Sequence, residues 1–146
     1  MRIEINGSWK NFKSLNFTHL RDKLLDGTKT QTCRTGFIAN YQLRETIAIT
    51  STEVTEEKEL LFLVPVNKHY PKRLCDVSLA EAKKDGFETK EDFVEKLLEI
   101  NKLKFKEHWS LLTAWDPEER VFLKDLESFA ANTAKSSQHP TIFDYI

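Results

Sequence analysis

The polar segment 28–34 holds side chains that could act on an anionic or an amide-bearing ligand. Lys29 offers a positive point charge for a phosphate or a carbonyl oxygen, or a general base if its amine is desolvated. Arg34 offers a planar guanidinium suited to a phosphate or to the edge of a base. The alternatives are a solvated lysine after a helix C-terminus, where the helix dipole favours cations, and an ion pair of Arg34 with an acid such as Asp85.

Thr32 is the candidate nucleophile of the same segment. A threonine hydroxyl is weak alone and needs an adjacent base, which Lys29 can supply only if it is neutral and therefore buried. Residues 29 and 32 point to opposite sides of an extended chain, so the pair requires a turn or bulge between them. The alternative for Thr32 is ordinary packing in a strand. Cys33 lies beside Arg34, but the sequence places no histidine near it, so no catalytic cysteine is predicted.

Three helices with recognisable start and stop signals are predicted around this segment. They begin after Thr18, Ser78 and Thr89 and end at Gly27, Gly86 and Asn101. Ser78 and Glu81 have the spacing of a capping box. The apolar stripes of the first and third helices are formed by Leu20, Leu24 and Leu25 and by Phe93, Leu97 and Leu98.

The strands are predicted from alternating or dense apolar runs. They are expected at about residues 12–17, 46–54, 60–66 and 120–126, with the second and third paired as a hairpin. Because strands and helices do not alternate strictly, the pattern predicts a small α+β domain. A closed or half-closed β-barrel with helices over its ends is compatible with this order.

Charge and length restrict the class of protein. The chain has 146 residues, which suits one domain over residues 1–146, with a core at about 12–127 and a C-terminal tail at 128–146. Its net charge is −1, but residues 1–44 hold 8 basic and 3 acidic side chains, whereas residues 45–101 hold 8 and 13. The basic first third contains the 28–34 segment, so the balanced total does not exclude an anionic ligand.

Several classes of site are excluded by patterns that the sequence lacks. No apolar run approaches the ~18 residues of a membrane span, and the first 16 residues hold no signal-peptide core. Cys33 and Cys75 form no CxxC pattern, and the four histidines are too widely spaced for a local metal motif. No glycine-rich phosphate loop or nucleophile elbow is present. We therefore expect a cytoplasmic protein without a membrane partner, a metal or a cofactor.

Two further regions have alternative interpretations. Trp115 is the best placed of three tryptophans to stack on a base, with a place in the core as its alternative. The segment 68–73 offers basic side chains around Tyr70 for a phosphate, or is a solvated loop. The tail carries apolar residues that dock on the core or, as in a scaffold or adaptor, on a partner: Ile142, Phe143, Tyr145 and Ile146.

Two segments resemble one known family, the ASCH domains of the PUA-like superfamily. Residues 27–34 read G-T-K-T-Q-T-C-R and match the family's G-x-K-x-x-x-x-R signature. Residues 79–87, with Asp85-Gly86-Phe87, followed by Glu91-Asp92-Phe93, resemble the acidic-Gly-Phe segment and the helix after it. The order of elements also agrees, and the resemblance covers about residues 12–127.

The resemblance implies a PUA-like β-barrel with flanking helices and a basic cleft that contains Lys29 and Arg34. ASCH domains are generally inferred to bind RNA, so the first hypothesis is an RNA or nucleotide ligand at this cleft. Some members hydrolyse the amide of N4-acetylcytidine with a Lys, a Thr three residues later and a downstream Glu. Here Lys29, Thr32 and Asp85 fall on those positions, with Asp one methylene shorter than Glu. An amidohydrolase acting on a modified nucleoside is therefore the alternative.

Overall fold

The computed structural model describes residues 1–35 and 40–125. Within these residues the strands are β1 (Arg2–Ile5), β2 (Ser8–Asn11), β3 (Ser14–Phe17), β4 (Gln31–Arg34), β5 (Thr46–Ser51), β6 (Glu59–Pro65), β7 (Lys68–Arg73) and β8 (Trp109–Ala114). The helices are α1 (Arg21–Asp26), α2 (Leu79–Lys84) and α3 (Lys90–Ile100). The predicted tail at 128–146 lies outside the described residues. None of the described helices is long and apolar enough to cross a membrane.

The described strands form three sheets in a mixed α+β fold. A hairpin joins β1 to β2, β3 runs parallel to β5, and β5 pairs with β6 as the predicted antiparallel hairpin. The third sheet has the order β4-β8-β7 and is antiparallel throughout. The α+β prediction is confirmed. Since the pairings of the described residues give separate sheets, closure into a barrel stays a prediction.

Local signals placed most helix ends correctly. The Ser78–Glu81 capping box is formed, Thr89 caps α3, Asn101 ends it, and Gly27 ends α1 with a φ of 85°. The predicted cap at Thr18 is wrong, because Leu20 occupies the cap position of α1 with a left-handed φ of 64°. Leucine rarely adopts this conformation, so packing rather than local preference fixes the start of α1.

On the C-terminal side of the chain, the structure has one strand that was not predicted and lacks one that was. The last described strand is β8, which the sequence did not indicate, and the strand predicted at 120–126 is wrong where it is described. There, Val121 makes only an isolated bridge to Leu63. A 3₁₀ turn ends just before Arg120, and residues 123–125 are helical, so too few extended residues are left between them for a strand. Arg120 instead donates to the carbonyls of Leu24 and Leu25 at 3.0 and 2.7 Å. It thereby satisfies the C-terminal end of α1.

Two apolar clusters bracket the region between the sheets. One lies under β3, β5 and β6 and includes Leu15, Phe17, Ile49 and Phe62. The other joins β4 and β8 to α2 and α3 through Cys33, Leu112, Phe93 and Leu97. The edge strands β3 and β4 belong to different sheets, and the candidate site lies where these strands meet α3.

Candidate functional site

A cavity of about 430 Å³ is lined by β3, β4, α3 and the turn after α2. This volume is in the range of pockets for small ligands. Lys29, Thr32, Arg34 and Asp85 all line it. The structure thus brings together four of the five residues predicted to form the site, although Asp85 is more than fifty positions from the others along the chain.

Lys29 and Asp85 form a buried ion pair at this cavity. The Lys29 Nζ atom lies 2.6 Å from Asp85 Oδ1, and the two side chains are only 3% and 4% exposed. The same Nζ donates to the carbonyls of Gln31 and Asp85 at 2.9 and 2.5 Å. An ammonium group has three N–H donors, and all three have protein acceptors here. Lys29 is therefore held as a fixed cation, not as the solvated lysine of the alternative interpretation.

The described turn of this segment lies at residues 27–28, before Lys29, and none is described between residues 29 and 32. Lys29 precedes β4, and its backbone N–H donates to the carbonyl of Lys23 at 3.0 Å. Thr30 N–H donates to the carbonyl of Lys84 at 2.8 Å, which joins this segment to the end of α2. Because β4 begins only at Gln31, the strand alternation does not apply to Lys29.

Gly86 allows the acidic residue to approach this segment. Its φ is 99°, and a Cβ there would lie 3.0 Å from the Cδ1 atom of Leu20. Lys23 Nζ donates to the Gly86 carbonyl at 2.8 Å. A side chain at position 86 would be strained and crowded, so glycine keeps Asp85 beside Lys29.

Asp85 keeps one carboxylate oxygen without a partner. Oδ2 is buried and accepts no hydrogen bond from the described residues. Burial raises the pKa of Asp85, and the charge and hydrogen bond of Lys29, the nearby Gln31 side chain and the charge of Arg34 oppose this without cancelling it. A buried acceptor without a donor is costly, so this oxygen is a natural contact for an N–H or O–H group of a ligand.

Thr32 and Cys33 occupy adjacent positions in the wall of the cavity. Thr32 is buried and lies opposite Thr113 in the β4–β8 ladder. Cys33 is 3% exposed, and burial raises its pKa well above the ordinary thiol value. A protonated, buried thiol is unreactive.

Arg34 is held against Phe17. Its guanidinium carbon lies 4.9 Å from the centre of the Phe17 ring, and its Nη2 donates to the carbonyl of Asn16 at 2.5 Å. Lys29 Nζ lies 5.5 Å from the centre of the same ring. Burial lowers the pKa of Arg34, although arginine stays charged at neutral pH. Arg34 forms no ion pair with Asp85 within the described residues, so its remaining donors can face a ligand.

The mouth of the cavity includes residues that the sequence analysis missed. His19 and Lys96 line it and are exposed. Lys96 lies between Phe93 and Ile100 on one face of α3, at spacings of three and four residues. This spacing was visible in the sequence, but nothing local indicated that α3 would lie across β3 and β4.

Trp115 does not line this cavity. Its ring is 3% exposed and packs 6.4 Å, centre to centre, from both Phe17 and Phe62. Trp115 therefore lies in the core, as in the second interpretation given above. A side chain so deeply buried cannot stack on a ligand. In the 68–73 segment, which forms β7, Lys72 pairs with Glu81 at 2.8 Å. Within the described residues no group of three or more His, Cys, Asp or Glu side chains could hold a metal ion.

Comparison with known proteins identifies the fold. Neither a family model nor a curated protein sequence matches the chain. A Tyr-to-Phe mutant of ZmASCH from Zymomonas mobilis aligns with a TM-score of 0.54 and 12% identity over 82% of this chain and 81% of that one. Protein EF3133 from Enterococcus faecalis, a DUF984 structure, aligns with a TM-score of 0.50 and 15% identity over 70% and 69%. The chain therefore has an ASCH-like fold.

Proposed function

We propose that the protein binds a nucleoside or nucleotide, free or within RNA, in the cavity lined by Lys29, Thr32, Arg34 and Asp85. The observation that carries this proposal is the buried Oδ2 of Asp85, which accepts no hydrogen bond from the described residues. A carboxylate in this position accepts from an exocyclic amino N–H group, such as the one that cytosine carries on its base edge. The Thr32 hydroxyl, able to donate and accept, complements it.

Lys29 and Arg34 have different roles in this proposal. Lys29 has no free N–H donor, so it acts on the ligand by fixing the position and charge of Asp85. Arg34 is half-buried over Phe17 and is the arginine that lines the cavity. A phosphate or ribose oxygen is the natural partner for such donors. In this proposal the cations that a ligand would contact directly are Arg34 and the exposed Lys96, while Lys29 acts through Asp85.

The proposal predicts discrimination between pyrimidines. Cytosine presents an exocyclic amino donor where uracil presents a carbonyl acceptor. If the uracil carbonyl faced Asp85 Oδ2, two acceptors would meet without a donor between them. No hydrogen bond could form, and the two oxygens would repel each other. We expect cytidine and its monophosphate to bind more tightly than the uridine compounds.

Calorimetric titration with cytidine 5′-monophosphate and uridine 5′-monophosphate tests the proposal. Thr32→Val removes the hydroxyl at nearly constant shape and is expected to weaken cytidine 5′-monophosphate binding about 3- to 10-fold, the effect of one hydrogen bond. Thr28→Val is the matched control, because Thr28 is exposed in the same segment and does not line the cavity. Equal affinity of the wild type for both nucleotides, or equal losses in the two variants, would contradict the proposal.

Hydrolysis of a small amide is the second candidate. It is favoured by the position of Lys29, Thr32 and Asp85 around one cavity. Since Lys29 is saturated with acceptors, Asp85 is the base in this mechanism. Thr32 Oγ1 bonds to the acetyl carbon of N4-acetylcytidine and Asp85 takes its proton. The C–N bond then breaks, the leaving nitrogen takes that proton, and water hydrolyses the acetyl-threonine ester to acetate.

Chromatography of N4-acetylcytidine incubated with concentrated enzyme tests this candidate. Release of cytidine by the wild type, loss of release in Thr32→Val and retention in Thr28→Val are expected. Absence of cytidine from the wild-type reaction excludes this hydrolysis and leaves the binding proposal to be decided by the titrations.

A further inference from the structure

We propose that the outer end of strands β7 and β8, with the loop at residues 102–108, is a second binding surface for single-stranded nucleic acid. We call this the stacking surface and define it by Arg73, Lys104, Phe105, Lys106, His108 and Trp109. None of these residues lines the cavity described above. The argument rests on exposed rings, on unpaired cations and on the register of the β4-β8-β7 sheet.

Two large aromatic side chains of this surface are mostly open to solvent. Phe105 is 65% exposed and Trp109 is 59% exposed. The Phe105 and His108 rings lie 6.4 Å apart with planes inclined by 31°, and Trp109 follows His108 directly along the chain. A patch of exposed rings is unfavourable in water unless it serves binding, and flat rings offer faces on which bases stack irrespective of sequence.

Arg73 holds the Trp109 ring in place from the neighbouring strand. The two residues lie opposite each other in the β7–β8 ladder, and the guanidinium carbon is 4.8 Å from the ring centre. This cation–π contact orients the indole without burying it. Because the guanidinium lies over one face of the ring, a base would stack on the opposite face, with the positive charge of Arg73 close enough to attract the phosphates of the strand.

The charge of the surface fits a polyanion. Residues 102–109 contain three lysines and one glutamate. Lys102, Lys104 and Lys106 form no ion pair with a described residue, nor does Arg73. An acidic protein would satisfy these cations, but it would leave Phe105 and Trp109 without planar partners. Bases and phosphates in alternation match both features, so single-stranded nucleic acid is the occupant that we favour.

The sheet register joins this surface to the cavity. Arg34 pairs with Leu111, and Trp109 lies two residues further along β8 on the same face. Two residues span roughly 7 Å along a strand, so one strand of RNA can pass from Arg34 to Trp109. The stacking surface does not depend on the proposed function, since it would bind a strand even if the cavity held no nucleotide.

Fluorescence anisotropy with a labelled twelve-nucleotide oligouridylate tests this inference, because uridine lacks the amino group expected to face Asp85. Trp109→Ala is expected to weaken binding by about 5- to 100-fold, the range for one lost base stack. Trp9→Ala is the matched control, since Trp9 is 56% exposed and lies 5.1 Å from the guanidinium of Arg2 on a different sheet. Its affinity should stay within twofold of the wild type.

The charge contribution is measured by the salt dependence of the same binding. The double variant Lys104→Ala, Lys106→Ala is expected to reduce the slope of log affinity against log salt by about 1.4, which is about 0.7 for each phosphate contact on a single strand. Thermal unfolding of Trp109→Ala checks that the fold is unchanged, as expected for an exposed ring. Trp109→Ala should bind cytidine 5′-monophosphate like the wild type, because Trp109 does not line the cavity. This separates the test of the stacking surface from that of the cavity.

Three results would overturn the inference. The wild type could show no binding at low salt, or Trp9→Ala could lose as much affinity as Trp109→Ala. Polyglutamate could also compete with the oligonucleotide at equal charge concentration, which would make the surface a general anion patch without base stacking.

Discussion

Two ion pairs on the same short helix behave in opposite ways. Glu81, in the first turn of α2, pairs with Lys72 at 2.8 Å, and Asp85, just after its last turn, pairs with Lys29 at 2.6 Å. Burial alone would raise the pKa of Glu81, but hydrogen bonds from Lys72 and Ser78 together lower it to about 2. The pKa of Asp85 is raised, because its burial outweighs Lys29.

The difference shows what each pair does. Glu81 is partly solvated and also completes the capping box, so its charge is well matched and stabilises α2. Asp85 is nearly sealed from water and keeps one unpartnered oxygen, an arrangement that fold stability alone does not favour. Of the two carboxylates, Asp85 has the environment of a functional group.

Removal of the buried cation is expected to have the largest effect. Lys29→Met leaves Asp85 charged and unpaired in a dry environment, which should lower the free energy of unfolding at pH 7 by about 3–5 kcal/mol. Urea denaturation measures this loss. The double variant Lys29→Met, Asp85→Asn should recover much of it, because no uncompensated charge is left. A loss below about 1 kcal/mol would show that Asp85 does not depend on Lys29.

The same variant is expected to respond to pH. Burial without Lys29 holds the pKa of Asp85 above its unfolded value of about 3.9, so the folded state binds the proton more tightly than the unfolded state. The stability of Lys29→Met relative to wild type should then be best below that value and decline as pH rises through the folded pKa. Urea denaturation from pH 4 to 7 measures this trend, and the double variant should not show it.

Substitution of Glu81, in the first turn of α2, is expected to lower the free energy of unfolding by less than substitution of Lys29, and with the opposite dependence on pH. Glu81→Ala removes half of the capping box and the pair with Lys72, for an expected loss of about 1–2 kcal/mol at pH 7. The folded pKa of Glu81 lies below its unfolded value, so its contribution is present above pH ~4.5 and is lost as pH falls toward about 2. Acid titration of unfolding should therefore be shallower in Glu81→Ala than in the wild type.

The smallest effect is expected for the partner of Glu81. Lys72→Met keeps the aliphatic stem and the capping box and removes only a partly solvated charge, so the loss should stay within about 1 kcal/mol. Urea denaturation of this variant beside Lys29→Met compares the two lysines directly. Equal losses would mean that burial does not distinguish the two pairs.

Local chemistry explains which elements were predictable. The Ser78–Glu81 box, the Thr89 cap and the Gly27 stop depend on residues within a few positions of each other, and all three are formed. The strand β7 has the sequence KHYPKR, which is polar and contains Pro71, so no apolar alternation marked it. The sheet β4-β8-β7 is completed by contacts distant along the chain, and the sequence did not indicate it.

The candidate site residues also divide into those that neighbouring residues identify and those that depend on contacts distant along the chain. Lys29, Thr32 and Arg34 are close in sequence, and a motif could identify them. That Asp85 meets them depended on a resemblance, since it is 56 positions from Lys29. Trp115 had the right chemistry for stacking, but packing against Phe17 and Phe62 placed it in the core. No local pattern separates a stacking tryptophan from a core tryptophan.

The sequence by itself determined the N-terminal caps of α2 and α3, the β5–β6 hairpin and the candidate segment 28–34, because these depend on short-range spacing and backbone preference. Tertiary structure decided which charges are buried. It closed Lys29 and Asp85 away from water while leaving Lys72 and Glu81 partly solvated, and it kept Trp109 exposed while burying Trp115. The physical reason is that desolvation depends on what packs over a side chain, and the packing neighbours come from distant parts of the chain.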